Sequence, residues 1–260
     1  DGVFETLKIS HGDVFALDRH LTRLQKSAHG LGLGDIDLDT VSKAVSETLA
    51  ANEPLENGRL RITVTSGTGP LGSNRGNLPM TTTVVTGAVN PWPETTSIAI
   101  VPWRRNERSA ITGLKTTSYA ENVVALEAAH TFGFSEAIFL DTKDRLSEGT
   151  GTNVFFVSNN VVYTPSRACG ILEGITRELV MELCSITSIA VVEGEFSTTD
   201  LIAAGEVFIT SSTRDVHPVT RIAILNDLLE IDTEYSFEVG PVTRQLRDAW
   251  VQQFSKNLNP

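Results

Sequence analysis

The apolar residues of this chain change period again and again, and that limits the possible folds more than any single motif does. Val3 to Ile9 and Val14 to Leu17 flank His11-Gly12-Asp13, a hairpin-like pair with a glycine in its turn. From Arg19 to Ala28 the period becomes helical, with Leu21, Leu24 and Ala28 on one face. A second helix is predicted from about Asp39 to Ala51, where Val41, Val45 and Leu49 recur at four-residue spacing. Arg59 to Thr65 alternates as a strand does and ends at Gly67-Thr68-Gly69-Pro70, and further strands are predicted at Thr81 to Thr86 and Thr95 to Val101. Pro91, Pro93 and Pro102 punctuate this stretch.

The second half is built the same way. A helix is predicted after Lys115, to about Phe132, then short strands at Glu136 to Asp141, Asn153 to Ser158 and Val161 to Thr164. A helix from Thr176 to Ser185 follows Gly174, and Val191 to Glu193 reads as extended. Thr198-Thr199-Asp200 starts another helix, and Glu206 to Thr210 reads as a buried strand. The tail from Pro241 to Phe254 is helical, with Val242, Leu246 and Val251 as expected core positions. The interleaving lacks the regular rhythm of a doubly wound sheet, so the expected class is mixed α and β in two subdomains. The pattern divides the chain into a small N-terminal domain at residues 1–105, a connecting loop at 106–113 and a larger C-terminal domain at 114–260.

Composition excludes several function classes. With 40% hydrophobic and 20% charged residues, the 260-residue chain is an ordinary globular one. Its formal charge of −11 argues against nucleic acid or an anionic membrane surface as a partner. Against that balance the arginines gather: Arg19 with Arg23, Arg59 with Arg61, and Arg104 and Arg105 with Arg108. Grouped cations of this kind either pair with local acids or present themselves to a small anion. Cys169 and Cys184 are the only cysteines and lack metal-ligand spacing, so neither a disulfide framework nor a metal site is expected. No apolar run suits a membrane span and no signal-peptide pattern is present, so a cytoplasmic location is the expectation.

Four segments carry residues suited to chemistry. Gly113-Leu114-Lys115-Thr116-Thr117-Ser118-Tyr119 sets a lysine among small residues with a tyrosine one helical turn on. A lysine held in a pocket near other cations can become a nucleophile or form a Schiff base, although most lysines are solvated surface charges. Ser147-Glu148-Gly149-Thr150-Gly151-Thr152-Asn153 follows an acid with small residues that would let backbone approach a ligand, or it is a plain loop. Leu172-Glu173-Gly174-Ile175-Thr176-Arg177 opens a helix, whose first amides and Thr176 hydroxyl suit an anion; Thr176 is equally a helix cap worth about 1 kcal/mol. Thr210-Ser211-Ser212-Thr213-Arg214-Asp215 is a hydroxyl-rich turn after a strand. Pyridoxal phosphate would use all of these, having an aldehyde for a lysine, a phenolic oxygen for a tyrosine, a ring nitrogen for an acid and a dianionic phosphate. A protein that keeps such a fold as a binding module without the cofactor is the competing class.

In its motifs the chain resembles the class IV aminotransferases, the fold-type-IV pyridoxal-phosphate enzymes that include branched-chain aminotransferases, D-amino-acid aminotransferases and aminodeoxychorismate lyases. The resemblance covers nearly the whole chain. It rests on Asp1-Gly2-Val3-Phe4-Glu5-Thr6, His20-x-x-Arg23-Leu24 followed by Ser27-Ala28, Lys115 with Tyr119, Glu148-Gly-x-Gly-x-Asn153, and Gly174-Ile175-Thr176-Arg177. It implies that Lys115 binds the cofactor as a Schiff base and moves protons. It implies further that Arg23, Ile175, Thr176, Ser211, Ser212 and Thr213 hold the phosphate, Tyr119 lies by the phenolic oxygen, Glu148 pairs with the ring nitrogen and Leu172 packs on the ring face. A small N-terminal domain, a larger C-terminal domain with a distorted barrel, and a homodimer with its site at the domain junction also follow from it.

Within the family, Val3-Phe4-Glu5-Thr6-Leu7 and the modest length look most like the aminodeoxychorismate lyases, which release pyruvate and leave 4-aminobenzoate for folate synthesis. The alternative is a transaminase acting on branched-chain amino acids, D-amino acids or amines with a 2-oxo acid acceptor. Lys8, which stands where many relatives carry an arginine, and Arg61, Arg104 and Arg105 are the candidates for holding substrate carboxylates. The loop from Gly67 to Asn77 carries only Arg75 and lacks the arginine that some lyases have beside its glycines.

Overall fold

Alternation of large apolar and small or polar side chains builds a small antiparallel sheet first. In the computed structural model, which describes every residue except Ser73, Asn77, Leu78 and Lys256, β1 (Gly2–Ser10) turns into β2 (Asp13–Val14) and pairs along its length with β3 (Asn57–Thr65). β4 (Thr81–Ala88) completes the order β2-β1-β3-β4. Period two sends Val3, Leu7 and Ile9 of β1 and Leu60, Ile62 and Val64 of β3 to one face. There they are buried with Leu21, Leu24 and Ala28 of α1 (Leu17–Leu31) and Val41 and Val45 of α2 (Leu38–Ala50). Gly32 closes α1 in the left-handed conformation, and the Asp37 side chain accepts the Thr40 amide at the start of α2. The opposite face sets Phe4, Thr6 and Lys8 across from Thr63, Arg61 and Arg59.

Residues distant in sequence complete this unit. Beyond its short pairing with β2, β1 leaves an edge that Lys115 to Thr117 cover: the Phe4 amide donates to the Lys115 carbonyl (3.0 Å) and the Thr117 amide to the Gly2 carbonyl (2.8 Å). Val3 and Thr116 form the antiparallel bridge between them. Asp1–Pro91, Leu114–Tyr119 and Asn257–Pro260 therefore make one compact unit. The helix predicted after Lys115 forms as α3 (Ala120–Thr131), beyond the residues taken up by this edge.

The second unit comprises Trp92–Gly113 and Ala120–Lys256. Its strands are β5 (Thr96–Arg105), β6 (Glu136–Asp141), β7 (Leu146–Gly149), β8 (Asn153–Ser158), β9 (Val161–Pro165), β10 (Val191–Gly194), β11 (Glu206–Ser211), β12 (Asp215–Leu225) and β13 (Ile231–Ser236). They order as β10-β9-β8-β11-β12-β5-β6-β7, with β13 on β12. The end strands approach each other. The Leu146 amide of β7 donates to the carbonyl of Phe196, two residues past β10 (2.7 Å), and Ser147 donates to the Cys169 carbonyl (2.7 Å). The sheet is thus curled into a half-barrel, and the mixed α/β class expected from the sequence holds.

The division between units falls at Pro91, earlier than the expected boundary after Arg105. β5 pairs in parallel with both β6 and β12. Its Ile98 and Ile100 enter one core cluster while Ala99 and Val101 enter another, as a strand buried on both faces must. α4 (Ile175–Ile186), α5 (Thr198–Ile202), α6 (Pro241–Phe254) and a single turn at Arg167–Cys169 complete the unit. In α6 the buried positions are Val242, Leu246, Trp250 and Phe254, whereas the expected core residue Val251 is exposed. Its period follows the aromatic side chains.

Candidate functional site

In the first unit the edge segment fixes Lys115 from both sides. Its carbonyl is bonded to β1, and its amide donates to the Ser27 hydroxyl on α1 (3.1 Å). Close approach is possible because Gly30 sits one turn past Ser27; a Cβ there would lie 2.5 Å from a Leu114 methyl. The Lys115 Nζ then donates to the Tyr119 hydroxyl (3.3 Å) and lies 4.5 Å from the centre of the Phe4 ring. Phe4 and Tyr119 meet edge to face at 5.0 Å. The Arg61 guanidinium lies 3.7 Å from the centre of the Phe4 ring, its Nε donating to Thr63 Oγ1 (3.2 Å). Partial burial pulls the Arg61 pKa below its ordinary value. An amine, a phenol and a guanidinium thus meet around one aromatic ring.

On the other face of the same sheet Glu5 occupies a position that period two assigns to apolar side chains, and it is fully buried. Two residues of α1 one turn apart make this tolerable. Arg23 donates from Nε to Oε1 (2.8 Å) and from Nη2 to Oε2 (2.6 Å), and His20 Nδ1 donates to Oε2 (2.7 Å). Burial alone would raise the Glu5 pKa, but the Arg23 charge and the hydrogen bonds from Arg23 and His20 outweigh it and hold the value at about 2. Burial pushes the His20 pKa below its ordinary value despite Glu5, and its Nε2 is buried with no hydrogen-bond partner among the described residues.

In the second unit Glu148 stands on β7, a strand where the sequence suggested a loop. Its Oε2 accepts the Leu172 amide (2.8 Å) and the Asn153 side-chain amide (3.4 Å), and Asn153 also donates to the Leu172 carbonyl (3.0 Å). Its Oε1 lies 3.8 Å from Arg105 Nε. Gly174, which precedes α4, is required by close packing, since a Cβ there would fall 2.1 Å from Asn153 Oδ1. The first amides of α4, among them those of Ile175 and Thr176, have no partner within the helix and carry the positive end of its dipole. Ser211, Ser212 and Thr213 form the turn between β11 and β12, closed by the Arg214 amide on the Ser211 carbonyl (3.2 Å). At its base the Thr210 hydroxyl is buried with no hydrogen-bond partner among the described residues.

The structure therefore brings Lys115, Tyr119 and Arg61 together in one unit, with Arg23 on the opposite face of their sheet. Glu148 meets Leu172 and Arg105 in the other unit. Arg104 is directed elsewhere, to Asp144 (2.7 Å) and the Pro102 carbonyl (2.5 Å). Lys8 lies in register with Arg59 on the strand face that carries Arg61. Arg75 bonds to Asp1 and to the Gly32 carbonyl (2.8 Å); Ser73 and Asn77 of its loop lie outside the described residues. Sequence reasoning passed over Phe4, Glu5, His20 and Asn153 as site-forming residues, although each stands in a quoted motif. It missed Asn122 altogether. The signal that could have found Glu5 is an acid at an inward strand position. Among the described residues no group of three His, Cys, Asp or Glu is placed to hold a metal ion, and no helix is long and apolar enough to cross a membrane.

Each unit supplies donors of the kind pyridoxal phosphate takes: an amine beside a phenol in the first, and in the second a carboxylate that accepts amides and, among the described residues, an unpartnered buried hydroxyl beneath a hydroxyl-rich turn. The amino-transferase class IV profile matches residues 2–222. A D-alanine aminotransferase of Bacillus licheniformis is 31% identical over 96% of this chain and 86% of its own length. Among solved structures, a branched-chain aminotransferase of Thermoproteus uzoniensis superposes with a TM-score of 0.88 at 28% identity, over 98% of this chain and 86% of that one. A 4-amino-4-deoxychorismate lyase of Pseudomonas aeruginosa gives 0.83 at 24% identity, over 100% and 92%, a likeness of fold. The chain belongs to the class IV aminotransferase family of fold-type-IV enzymes, which are pyridoxal-phosphate-dependent transaminases or lyases.

Proposed function

We propose that this chain is a pyridoxal-phosphate enzyme acting on a primary amine that carries one carboxylate, as an amino-acid transaminase does. The observation that carries the reading is the cluster of Lys115 Nζ, the Tyr119 hydroxyl and Arg61 around the Phe4 ring. Lys115 would hold the cofactor through its amine and would serve as the base that moves the substrate's Cα proton. Tyr119 orients that amine through its hydroxyl, and Arg61 supplies a fixed cation for the substrate carboxylate. Glu148 addresses the ring nitrogen and Leu172 the ring face. Arg23, the first amides of α4 and the Ser211 to Thr213 hydroxyls address the phosphate. When bound, the cofactor supplies an electron-withdrawing ring that stabilises the carbanion left by proton removal.

The second reading is an aminodeoxychorismate lyase, supplying 4-aminobenzoate for folate synthesis. The run Val3-Phe4-Glu5-Thr6-Leu7 on β1 favours it. Its substrate carries two carboxylates, however, and the loop from Gly67 to Asn77 carries only Arg75, which already bonds to Asp1. Either reaction suits a homodimer in the cytoplasm. Of the four candidates for substrate carboxylates, Arg61 alone lies against the Phe4 ring that Lys115 also approaches.

The test is to reconstitute the protein with pyridoxal phosphate and assay two substrate sets. L- and D-amino acids with 2-oxoglutarate should yield the corresponding 2-oxo acids. Aminodeoxychorismate generated in situ should yield little pyruvate or 4-aminobenzoate; the reverse pattern would replace the transaminase reading with the lyase. Lys115→Ala should fold normally by circular dichroism and lose turnover entirely, whereas near-normal turnover would overturn the site assignment.

A further inference from the structure

Arg105, marked in the sequence as a candidate for a substrate carboxylate, makes a different set of contacts within its own unit. It stands at the end of β5 with its guanidinium 4.5 Å from the centre of the Phe139 ring. Nη2 donates to Asn122 Oδ1 (3.2 Å), and the Asn122 amide in turn donates to the Thr150 carbonyl. Nε is buried with no hydrogen-bond partner among the described residues, and 3.8 Å from it lies Oε1 of Glu148. That distance is too long for a hydrogen bond and short enough for strong charge coupling where little water enters. Both side chains are largely buried, at 17% and 11% exposure. Asn122 on α3, Phe139 on β6 and Thr150 after β7 thus hold the guanidinium at the carboxylate.

We propose that Arg105 is a positioning residue for Glu148, holding its carboxylate charged and oriented so that the proton it shares with the cofactor's ring nitrogen stays on the nitrogen. The inference rests on the pyridoxal-phosphate reading. In a dry site, a carboxylate facing a pyridine nitrogen can take the shared proton itself, leaving a neutral acid and a neutral ring that withdraws electrons poorly. A fixed cation beside the carboxylate stabilises its negative charge and opposes that transfer. The Leu172 amide and Asn153 act in the same sense on the other oxygen. No proton is gained or lost; only its position between oxygen and nitrogen is set.

The experiment uses Arg105→Met and Arg105→Lys, each alone and combined with Glu148→Gln, reconstituted with pyridoxal phosphate labelled with ¹⁵N in the ring. Arg105→Met should keep the visible absorbance of lysine-bound cofactor while its ring-nitrogen resonance moves toward that of neutral pyridine. Its kcat should fall about 30- to 100-fold with KM changed less than about threefold. Arg105→Lys should recover much of both, and in the Glu148→Gln background Arg105→Met should lower kcat less than about threefold. A tenfold rise in KM with an unmoved resonance, or an equal loss in the Glu148→Gln background, would assign Arg105 to substrate and overturn the proposal. If Arg105→Met misfolds, an Arg105→Lys protein with a neutral-ring resonance would overturn it as well. A wild-type protein that takes up no cofactor would overturn the underlying reading instead, a result readily told apart because the absorbance fails before any variant is made.

Discussion

Each unit of this chain buries a carboxylate beside an arginine, and the two are held in different ways. Glu5 is saturated by a two-point contact from Arg23 and a third hydrogen bond from His20, all at 2.6 to 2.8 Å. Glu148 accepts two amides on Oε2, while its arginine stands 3.8 Å from Oε1. The contrast separates two uses of a buried charge. The Glu5 cluster joins the sheet to α1 and sets the side chain of Arg23, so its geometry is closed. Glu148 is anchored firmly enough to be oriented, and the Nε of Arg105 stands 3.8 Å from its second oxygen. Tight pairing suits architecture, and looser pairing suits a group that must engage something else.

If this distinction is right, the two acids should respond oppositely to the same substitution. Glu148→Gln should lower turnover about 10²- to 10³-fold while the free energy of unfolding in urea changes by about 1 kcal/mol or less. Glu5→Gln should cost about 3–5 kcal/mol of stability, because it leaves Arg23 facing a neutral amide; urea unfolding with an unchanged m-value would measure it. Equal stability losses in the two variants would break the comparison. A pH series sharpens it. The folded-state pKa of Glu5 is about 2 against an ordinary 4.5, so the unfolded chain takes up the proton first. The resulting stabilisation, about 3 kcal/mol, is complete above about pH 4.5 and lost as pH falls toward 2. In Glu5→Gln that part of the acid dependence should vanish, whereas Glu148→Gln should keep it. The smallest effect is expected from Asn153→Ala, which removes one of the amides on Glu148: about 1 kcal/mol in stability and a severalfold loss of turnover.

Much of this was visible in the sequence where a local period was strong. β1, β3, β6, β8 and β11 follow alternation or a short apolar run, and α1 and α2 follow Leu21, Leu24, Ala28, Val41 and Val45. β12 escaped notice because His217, Pro218 and Arg221 interrupt its pattern, even though His217 and Pro218 are buried where β11 pairs with it. The residues at Lys115, Glu148 and Thr176 stood out by their company of glycines and hydroxyls. Pairings across long stretches did not. Arg105 looked like a surface or substrate cation because Glu148 is 43 residues away, and Glu5 gave no sign of its partners on α1. Prolines 91, 93 and 102 suggested a junction further along the chain than the one that forms. Only the pairing of β5 with β6 and β12 shows which side that strand joins.

The strip from Lys115 to Thr117 along β1 also governs the order in which the chain can fold. During synthesis the hairpin of β1 and β2, then β3 and β4, can assemble from the first ninety residues alone. The exposed amide of Phe4 and carbonyl of Gly2 must then wait for residues more than a hundred positions later, and closing so long a loop is slow. Until it closes, β1 has an unpaired edge next to apolar side chains, the feature by which nascent chains stick to one another. A fragment ending at Pro91 should therefore aggregate, and supplying the edge strip as a separate peptide should suppress that aggregation. The lysine of the site is in this sense also the last stitch of the small sheet, so assembly of the sheet and positioning of the amine are the same event.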